Sequence, residues 1–408
     1  RRPSRLPYAL IAVGCAFVLF IAAVVGYVNR SVDVVLNGEQ TAVRVGSTLQ
    51  NLIDDQSLTE TYDAGDLLAV DDSVLKRHGG EKLSVKVDGK RVKQAKWDSR
   101  ELTGGEKVTV KDGRNIYEKH EVQATTIEPK LKVEGTGAIE YVQTWGVQGR
   151  SEVWVGEQSG KTQDRGEVVP ATDCVVACAS VAPKGNEKVV ALTFDEGPSG
   201  ATKQILQVLK EKGVTATFFL SGDAAEASPA TAKAIVDAGC EVGSNSYSDD
   251  SLKGEDRETV RKQISKGTDA IKSATGVKTM LLRAPYAAFD GQNWIDSMDL
   301  VSAVVSWNID SGDWLLNGAD EQVSTVLDSV TPGNIVLFTD GDECAEQTLE
   351  ALPQIIDGLI ADGYKIVTLS DLVKTDTSLS KKLTSLSKVS MPKNAVFPQL
   401  AEDDDTEE

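Results

Sequence analysis

The stretch Val189-Val190-Ala191-Leu192-Thr193-Phe194-Asp195-Glu196 decides the fold of the C-terminal half of the chain. Its first six residues are a short, mainly apolar run, which is typical of a strand that is buried on both faces. The carboxylates of Asp195 and Glu196 follow this run directly. They therefore come at the carboxyl end of a buried strand.

Strands and helices alternate from this stretch onward. The sequence predicts strands at 189–194, 216–220, 241–243, 281–283, 301–307, 335–338 and 365–367, and helices at 203–212, 229–238 and 256–273. Repeated βα units predict an α/β fold, as a parallel sheet or barrel with its site at the carboxyl ends of the strands. The two carboxylates lie at that end.

Five motifs in this region resemble, in order, those of the polysaccharide deacetylase (NodB-homology, carbohydrate esterase) family. They are Thr193-Phe194-Asp195-Glu196-Gly197-Pro198, Glu241-Val242-Gly243-Ser244-Asn245-Ser246-Tyr247-Ser248-Asp249, Arg283-Ala284-Pro285-Tyr286, Asp310-Ser311-Gly312-Asp313-Trp314 and Ile335-Val336-Leu337-Phe338-Thr339-Asp340. The resemblance implies a distorted (β/α) barrel over residues 186–375. It also implies hydrolysis of an N-acetyl or O-acetyl group on a sugar polymer, assisted by a divalent metal.

The resemblance also assigns roles to individual residues. Asp195 takes the place of the general base, with Arg283 and Asp313 in the same catalytic set. The residues at the substrate-pocket positions are Tyr286, Trp314 and Leu337. The residues at the metal-ligand positions are Glu196, Asn245 and Asp249, and Thr339 stands where the family has the histidine that acts as general acid.

Four of these positions depart from the family pattern, and all four concern the metal or proton transfer. The chain has only two histidines, His78 and His120, and both precede the barrel region. An all-oxygen ligand set suits Mg, Mn or Ca rather than Zn, so the implied cofactor is one of these ions or none. Thr339 cannot act as an acid, and loss of a general acid costs about 10²–10⁴-fold in rate.

These departures favour a pseudoenzyme that binds acetylated cell-wall glycan and hydrolyses its C–N bond weakly or not at all. One alternative is an active deacetylase or O-acetyl esterase with an oxygen-ligand metal site. The retained Asp195 and Arg283 favour this alternative, although a buried pair can also persist because breaking it costs about 3–5 kcal/mol. Another alternative is a non-catalytic scaffold of the envelope.

The N-terminal end predicts attachment to a membrane. Residues 8–28 carry no charge and are long enough to cross a hydrocarbon core of about 30 Å. Arginines precede this run, which predicts a cytoplasmic stub at residues 1–7 and an extracytoplasmic location for the remainder. The expected partners are the membrane, through this one anchor, and peptidoglycan or another cell-wall polysaccharide.

The region between the anchor and the barrel reads as mostly β. Asn37-Gly38 and Asp88-Gly89 each separate two apolar runs and predict hairpins. Residues 31–135 are similar to β-grasp-like modules, and residues 136–185 resemble the small β module named for its five glycines. These resemblances imply contact with cell-wall glycan, whereas a spacer that lifts the barrel from the membrane is the alternative.

Charge and cysteine content limit the remaining possibilities. The net charge of −19 argues against nucleic acid as a partner, because binding phosphates requires Lys and Arg. Residues 376–408 are poor in core-forming side chains and predict a disordered, acidic tail.

Cys174 and Cys178 are too far apart along a strand to form a disulfide. Cys240 and Cys344 should lie at opposite ends of the barrel and remain unbonded.

Overall fold

A computed structural model describes residues 6–28, 30–383 and 386–401, without the side chains of residues 6–12 and 27–28. Its helices are, in chain order, α1 Leu6–Val28, α2 Leu49–Asp55, α3 Leu58–Thr61, α4 Thr202–Lys212, α5 Gly222–Ala227, α6 Pro229–Asp237, α7 Arg257–Thr275, α8 Gly291–Ser297, α9 Ala319–Ser329, α10 Ala345–Ala361, α11 Leu369–Thr375 and α12 Leu379–Lys382.

The strands follow the same numbering along the chain. They are β1 Ser31–Leu36, β2 Glu39–Arg44, β3 Leu67–Leu68, β4 Val74–Lys76, β5 Leu83–Val87, β6 Lys90–Arg91, β7 Lys107–Asp112, β8 Ile116–Tyr117, β9 His120–Ile127, β10 Lys130–Gly135, β11 Ile139–Thr144, β12 Gly149–Gly156, β13 Thr162–Val169, β14 Cys174–Ala179, β15 Val189–Glu196, β16 Thr217–Leu220, β17 Glu241–Ser244, β18 Leu281–Leu282, β19 Ala303–Val305, β20 Ile309–Asp310, β21 Ile335–Thr339, β22 Lys365–Val367 and β23 Gln399–Leu400.

The predicted membrane anchor is not supported by the structure. Among the described residues, no helix is both long and apolar enough to span a membrane. Most of the predicted cytoplasmic stub, residues 1–5, lies outside the described residues. The extracytoplasmic location stays a prediction.

The first compact unit comprises Arg1–Thr125 and Ser151–Val168. Its largest sheet has the order β2-β1-β7-β5-β6. Both predicted hairpins are confirmed, because Leu36 pairs with Glu39 across Asn37-Gly38 and Val87 pairs with Lys90 across Asp88-Gly89. Helix α2 places its buried leucines in the core of this sheet. This agrees with the predicted β-rich region, and its identification as β-grasp-like stays a prediction.

The second unit comprises Thr126–Arg150 and Val169–Glu408, and it holds the predicted α/β region. Its parallel strands follow the order β20-β21-β15-β16-β17-β18-β19, and β22 pairs with the start of β15. Helices alternate with these strands, as in the predicted distorted (β/α) barrel. Three stacked rings from β15, β16 and β21 form part of the core: Phe194 lies 4.9 Å from Phe218 and 5.3 Å from Phe338 between ring centroids.

The sheet of the second unit extends into the region predicted to be a separate module. Strand β11 pairs antiparallel with β19, Ile139 lying opposite Val305, and β14 and β10 follow in the same sheet. The predicted module over residues 136–185 is therefore divided, since its ends join the second unit and its central hairpin belongs to the first. The pairing of β11 with β19 has a physical reason, because the outer edge of β19 would otherwise present unpaired backbone N–H and C=O groups.

The predicted disorder from residue 376 does not hold for the described residues. Leu379 and Leu383 are buried in a hydrophobic cluster with Leu369 and Leu372. Farther along, β23 pairs parallel with β10 through Gln399. A few apolar side chains and one short strand are enough to order this segment, because the sheet offers an open edge at β10. The acidic end, residues 402–408, lies outside the described residues.

The cysteines behave as predicted. All of them, Cys15, Cys174, Cys178, Cys240 and Cys344, are free. Cys240 directly precedes β17 and Cys344 follows β21, so these two lie at opposite ends of the parallel strands. The predictions of no Cys174–Cys178 bond and no Cys240–Cys344 bond are confirmed.

Candidate active site

A cavity of about 400 Å³ opens at the carboxyl ends of the parallel strands. Asp195 and Glu196 end β15, Thr339 ends β21, Asn245 directly follows β17 and Arg283 directly follows β18. The predicted site residues that line the cavity are Asp195, Glu196, Asn245, Asp249, Tyr286, Trp314, Leu337 and Thr339. Arg283 and Asp313 are not among the lining residues, but both contact residues that are.

Arg283 is 1% exposed and has a hydrogen-bond acceptor for each of its nitrogens. Its Nη1 donates to Asp195 Oδ1 and to Thr193 Oγ1, each at 2.7 Å. Its Nε donates to the backbone oxygen of Val305 and its Nη2 to that of Ser306, both at 2.9 Å. The guanidinium is therefore fixed by three strands and orients the carboxylate of Asp195.

Burial determines the protonation of Asp195. It raises the pKa of this carboxyl group to about 6, although the attraction and hydrogen bond of Arg283 act in the opposite direction. Burial also lowers the pKa of Arg283. The Asp195 carboxylate thus has a pKa close to the range in which a general base works efficiently.

The residues at the family's metal-ligand positions make specific contacts of their own. Asn245 is 2% exposed, and its Nδ2 donates to the backbone oxygen of Arg283 at 2.9 Å. This leaves Oδ1 as the acceptor of the amide. Asp249 is exposed, and its Oδ2 accepts from the hydroxyl of Tyr286 at 3.1 Å.

Glu196 is exposed as a residue, but the cavity walls remove water from its carboxyl group. This burial, together with repulsion from Asp249 and Asp195, raises the pKa of Glu196 to about 7. Burial likewise raises the pKa of Asp249, with smaller contributions from Asp250 and Asp223. Several carboxylates therefore share one water-poor space with little compensating positive charge.

Backbone strain is concentrated around the cavity. Glu196, Ser246 and Tyr286 have left-handed φ angles of 72°, 65° and 59°. A non-glycine residue in this region costs about 1–2 kcal/mol, and such strain is typical of functional sites. Gly197 is required for a different reason: a Cβ at this position would lie 2.1 Å from Asp340 Oδ2.

Asp313 lies directly behind Thr339. It is fully buried, and its Oδ2 accepts from the backbone N–H of Thr339 at 2.8 Å and from Thr348 Oγ1 at 3.1 Å. Its Oδ1 is buried and has no hydrogen-bond partner among the described residues. Burial raises the pKa of Asp313. A buried acceptor without a partner is costly, which points to a donor missing from this position.

Comparisons with known proteins identify the family of this chain. Residues 182–298 match the family model described as polysaccharide deacetylase. A peptidoglycan-N-acetylglucosamine deacetylase from Bacillus cereus is 31% identical over 220 residues, which cover 53% of this chain and 79% of that protein. The chain belongs to the polysaccharide deacetylase family. The resemblance predicted from the five motifs is thereby confirmed.

Other polysaccharide deacetylase relatives match over a smaller share of their length. A bifunctional xylanase/deacetylase from Pseudobutyrivibrio xylanivorans is 36% identical over 189 residues, which are 46% of this chain and 31% of that protein. The chain thus spans about a third of this relative. The crystal structure of a CE4 family pseudoenzyme from Bacillus anthracis is 25% identical, covers 55% of this chain and 84% of that one, and has a TM-score of 0.43.

The donor set does not fit the metal site that the polysaccharide deacetylase family implies. Among the described residues, no group of three His, Cys, Asp or Glu side chains is placed so that it could hold a metal ion. Glu196 and Asp249 offer carboxylates, whereas Asn245 offers a neutral amide whose nitrogen is bonded to Arg283. No imidazole or thiolate, the ligands typical of zinc, lines the cavity in the described part of the chain. No metal-dependent step is therefore assigned to these residues.

Among the aromatic and charged residues that line the cavity, sequence reasoning missed two, Trp307 and Asp310. Both lie just beyond or at the end of the short strands β19 and β20, and Asp310 accepts from Trp314 Nε1 at 3.2 Å. A signal was present, because polar or aromatic residues that follow a buried strand of a βα unit lie at the site end. The predicted strand over 301–307 was too long, and it included Trp307 as a strand residue.

Proposed function

We propose that the second unit binds a cell-wall polysaccharide of acetylated amino sugars and does not hydrolyse it at an appreciable rate. One observation carries the proposal. The cavity keeps the Asp195–Arg283 pair and its aromatic walls, but it has Asn245, Asp249 and Thr339 where the family motifs carry histidines. The residues suited to binding a glycan are thus present, whereas the histidines of the family motifs, which serve the metal and proton transfer, are replaced.

The cavity is suited to a sugar ring. Its volume of about 400 Å³ lies in the range of small-molecule sites. Tyr286 and Trp314 are 70% and 57% exposed, and Trp307 is half-buried in the wall. Large exposed aromatic rings bury much apolar area and keep a polar edge for hydrogen bonds, which is what the two faces of a sugar require.

At the position of the family's general acid, this cavity has no group that could protonate a leaving amine. Thr339 has only a hydroxyl group. The neighbouring Asp340 does not replace the missing acid, because it is 1% exposed and accepts from Ser199 Oγ and Thr202 Oγ1, each at 2.6 Å. Loss of a general acid costs about 10²–10⁴-fold in rate. The family reaction is therefore slow or absent.

Peptidoglycan is the first glycan to test, because the Bacillus cereus relative is named for it. The full chain is incubated with purified peptidoglycan, and both the bound fraction and the released acetate are measured. We expect binding without acetate release, with and without added divalent metal. Acetate release that depends on Asp195 would contradict the proposal, and absence of binding would do so as well.

A matched pair of variants separates cavity binding from nonspecific adhesion. Trp314→Ala removes a ring from the cavity wall, and aromatic contacts are worth about 0.5–1.5 kcal/mol beyond their area, so binding should weaken several-fold. Leu316→Ala is the control, because Leu316 is equally exposed at 58% but is absent from the cavity wall. Equal losses for both variants would contradict binding in the cavity.

A second candidate, an O-acetyl esterase, is favoured by the retained general base. The Arg283-oriented Asp195 has a pKa of about 6 and could activate water. An alcohol leaving group needs less protonation than an amine, so loss of the acid at Thr339 matters less for an ester. Acetate release from an O-acetylated glycan but not from an N-acetylated one would support this candidate.

The proposed glycan requires an extracytoplasmic location, since peptidoglycan lies outside the cytoplasmic membrane. Protease treatment of intact cells tests this location. Digestion of the second unit without lysis is expected, and protection until lysis would contradict the assignment.

A further inference from the structure

The walls of the candidate cavity are unusually acidic for a site meant to hold a neutral acetamido group. They combine carboxylates with aromatic rings: Asp195, Glu196, Asp249 and Asp310 with Tyr286, Trp307 and Trp314. Among the described residues that line the cavity, none is Lys, Arg or His. The buried guanidinium of Arg283 pairs with Asp195.

One carboxylate oxygen at the cavity lacks a hydrogen-bond partner among the described residues. Asp195 is about nine-tenths buried and lines the cavity; Arg283 occupies its Oδ1, while its Oδ2 has no hydrogen bond among the described residues. A ligand that brings an N–H group into the cavity would satisfy this acceptor, which the protein leaves without a donor.

The uncharged side chains of the cavity wall also favour a ligand that donates hydrogen bonds. Asn245 presents its Oδ1 as an acceptor, because its Nδ2 is bonded to the backbone of Arg283. Tyr286 and Trp314 direct their own donors to Asp249 and Asp310. Their ring faces stay available in the cavity. The negative electrostatic potential of an aromatic ring face attracts cations. Carboxylates, an amide oxygen and ring faces together form a site for a small cation that carries several N–H donors.

We propose that the cavity binds the free ammonium group of a de-N-acetylated amino sugar, so that the protein recognises partly deacetylated glycan. This inference rests on the proposed glycan-binding function and specifies which sugar enters the cavity. An ammonium group is complementary to the acceptor-rich walls. An acetamido group offers no counter-charge to Glu196, Asp249 and Asp310, so within a polysaccharide of acetylated amino sugars the cavity selects the sugars that have lost their acetyl group.

The test compares two soluble ligands that differ only in acetylation. Calorimetric titration of the full chain measures the affinity for a glucosamine tetramer and for an N-acetylglucosamine tetramer, at neutral pH, low salt and with a chelator. We expect the glucosamine tetramer to bind at least about tenfold more tightly, which is about 1.4 kcal/mol. Its affinity should fall as salt is added, because exposed charges are screened.

Variants that neutralise single carboxylates test which residues cause the preference for the glucosamine tetramer. Asp249→Asn and Asp310→Asn should each weaken binding of the glucosamine tetramer several-fold more than binding of the acetylated tetramer. Glu350→Gln is the control, since Glu350 is exposed on α10 and does not line the cavity. It should change neither affinity.

The remaining outcomes separate this inference from the proposed function. Equal or tighter binding of the acetylated tetramer overturns the inference and leaves glycan binding standing. Binding of the glucosamine tetramer only after a divalent ion is restored also overturns it, because the carboxylates would then hold a metal. If neither tetramer nor peptidoglycan binds, the proposed function itself is wrong.

Discussion

Arg283 and Asp195 form a buried ion pair, with 2.7 Å between Nη1 and Oδ1, although they are 88 residues apart in sequence. The guanidinium also lies 4.2 Å from the ring centroid of Phe219 and 5.6 Å from that of Trp307. The pair thus joins the core of the second unit to the wall of the cavity. It has a structural role whether or not the site is catalytic.

Removing the cation should destabilise the protein strongly. Arg283→Met leaves Asp195 buried without a counter-charge and leaves the backbone oxygens of Val305 and Ser306 without donors. We expect a loss of about 3–5 kcal/mol in the free energy of unfolding, measured by denaturant titration of the transition of the second unit. The double variant with Asp195→Asn should be less destabilised than the sum of the single variants.

The matched control for this prediction is Arg261→Met. Arg261 also pairs with a carboxylate, Asp299 at 2.6 Å, but both side chains are more than a quarter exposed. We expect a loss of about 1 kcal/mol or less, as for exposed ion pairs. Equal losses at both arginines would show that burial does not distinguish them.

Restoring the family residues should create a zinc site. The set is Glu196→Asp, Asn245→His, Asp249→His and Thr339→His. Two imidazoles and a carboxylate match the ligands of catalytic zinc sites, and a histidine at 339 would lie next to the unpartnered Oδ1 of Asp313. Metal analysis after dialysis should find one zinc per chain in this variant.

The single variant Thr339→His serves as the control, since position 339 is not a ligand position in the motif alignment. It should bind no zinc under the same conditions. A folded quadruple variant that takes up none would show that the motifs are aligned incorrectly, with circular dichroism confirming the fold.

The acidic cavity should make stability fall as pH rises. The ordinary pKa values of Asp195 and Glu196 are 3.8 and 4.5, and in the folded protein they are raised to about 6 and about 7. The folded state thus holds these protons more tightly than the unfolded state. The resulting stability is present below about pH 4 and is lost as pH rises through 6 and 7.

Thermal unfolding from pH 5 to 8, in the presence of a chelator, checks this sign. The contribution of the cavity should lower Tm across this range, by about 2–4 °C for each kcal/mol lost. Glu196→Gln cannot ionise and should flatten the decline. A steeper decline in that variant would contradict the assignment.

Gly267 packs against the loop that carries two of the site residues, Asn245 and Asp249. A Cβ at this position on α7 would lie 2.4 Å from the backbone oxygen of Ser246 and 2.9 Å from the nitrogen of Tyr247. Gly267→Ala must therefore shift the segment between Asn245 and Asp249. We expect a loss of about 1–3 kcal/mol from overpacking, together with weaker glycan binding in the peptidoglycan assay.

Ser273→Ala on the same helix is the control, because Ser273 is exposed. It should preserve both stability and binding. Unchanged glycan binding by a folded Gly267→Ala protein would show that the position of this loop does not matter for the site.

Much of the second unit could be predicted because its determinants are local. The apolar run that ends in Asp195 and Glu196 gave β15, and the strand predicted over 365–367 matches β22 at both ends. Glycine, caps and apolar periodicity act over a few residues, so they can be recognised in sequence alone.

By itself, the sequence determined the family, the order of the βα units and the replacement of each histidine of the motifs. These properties depend on which residues follow which strand. The tertiary structure alone decided that β11, β14, β10 and β23 extend the sheet, and that the cavity lacks a cationic lining side chain among the described residues. The pairings of β11 with β19 and of β10 with β23 join segments more than 100 residues apart, as at Ile139 and Val305, and depend on which edge remains open after the rest has folded.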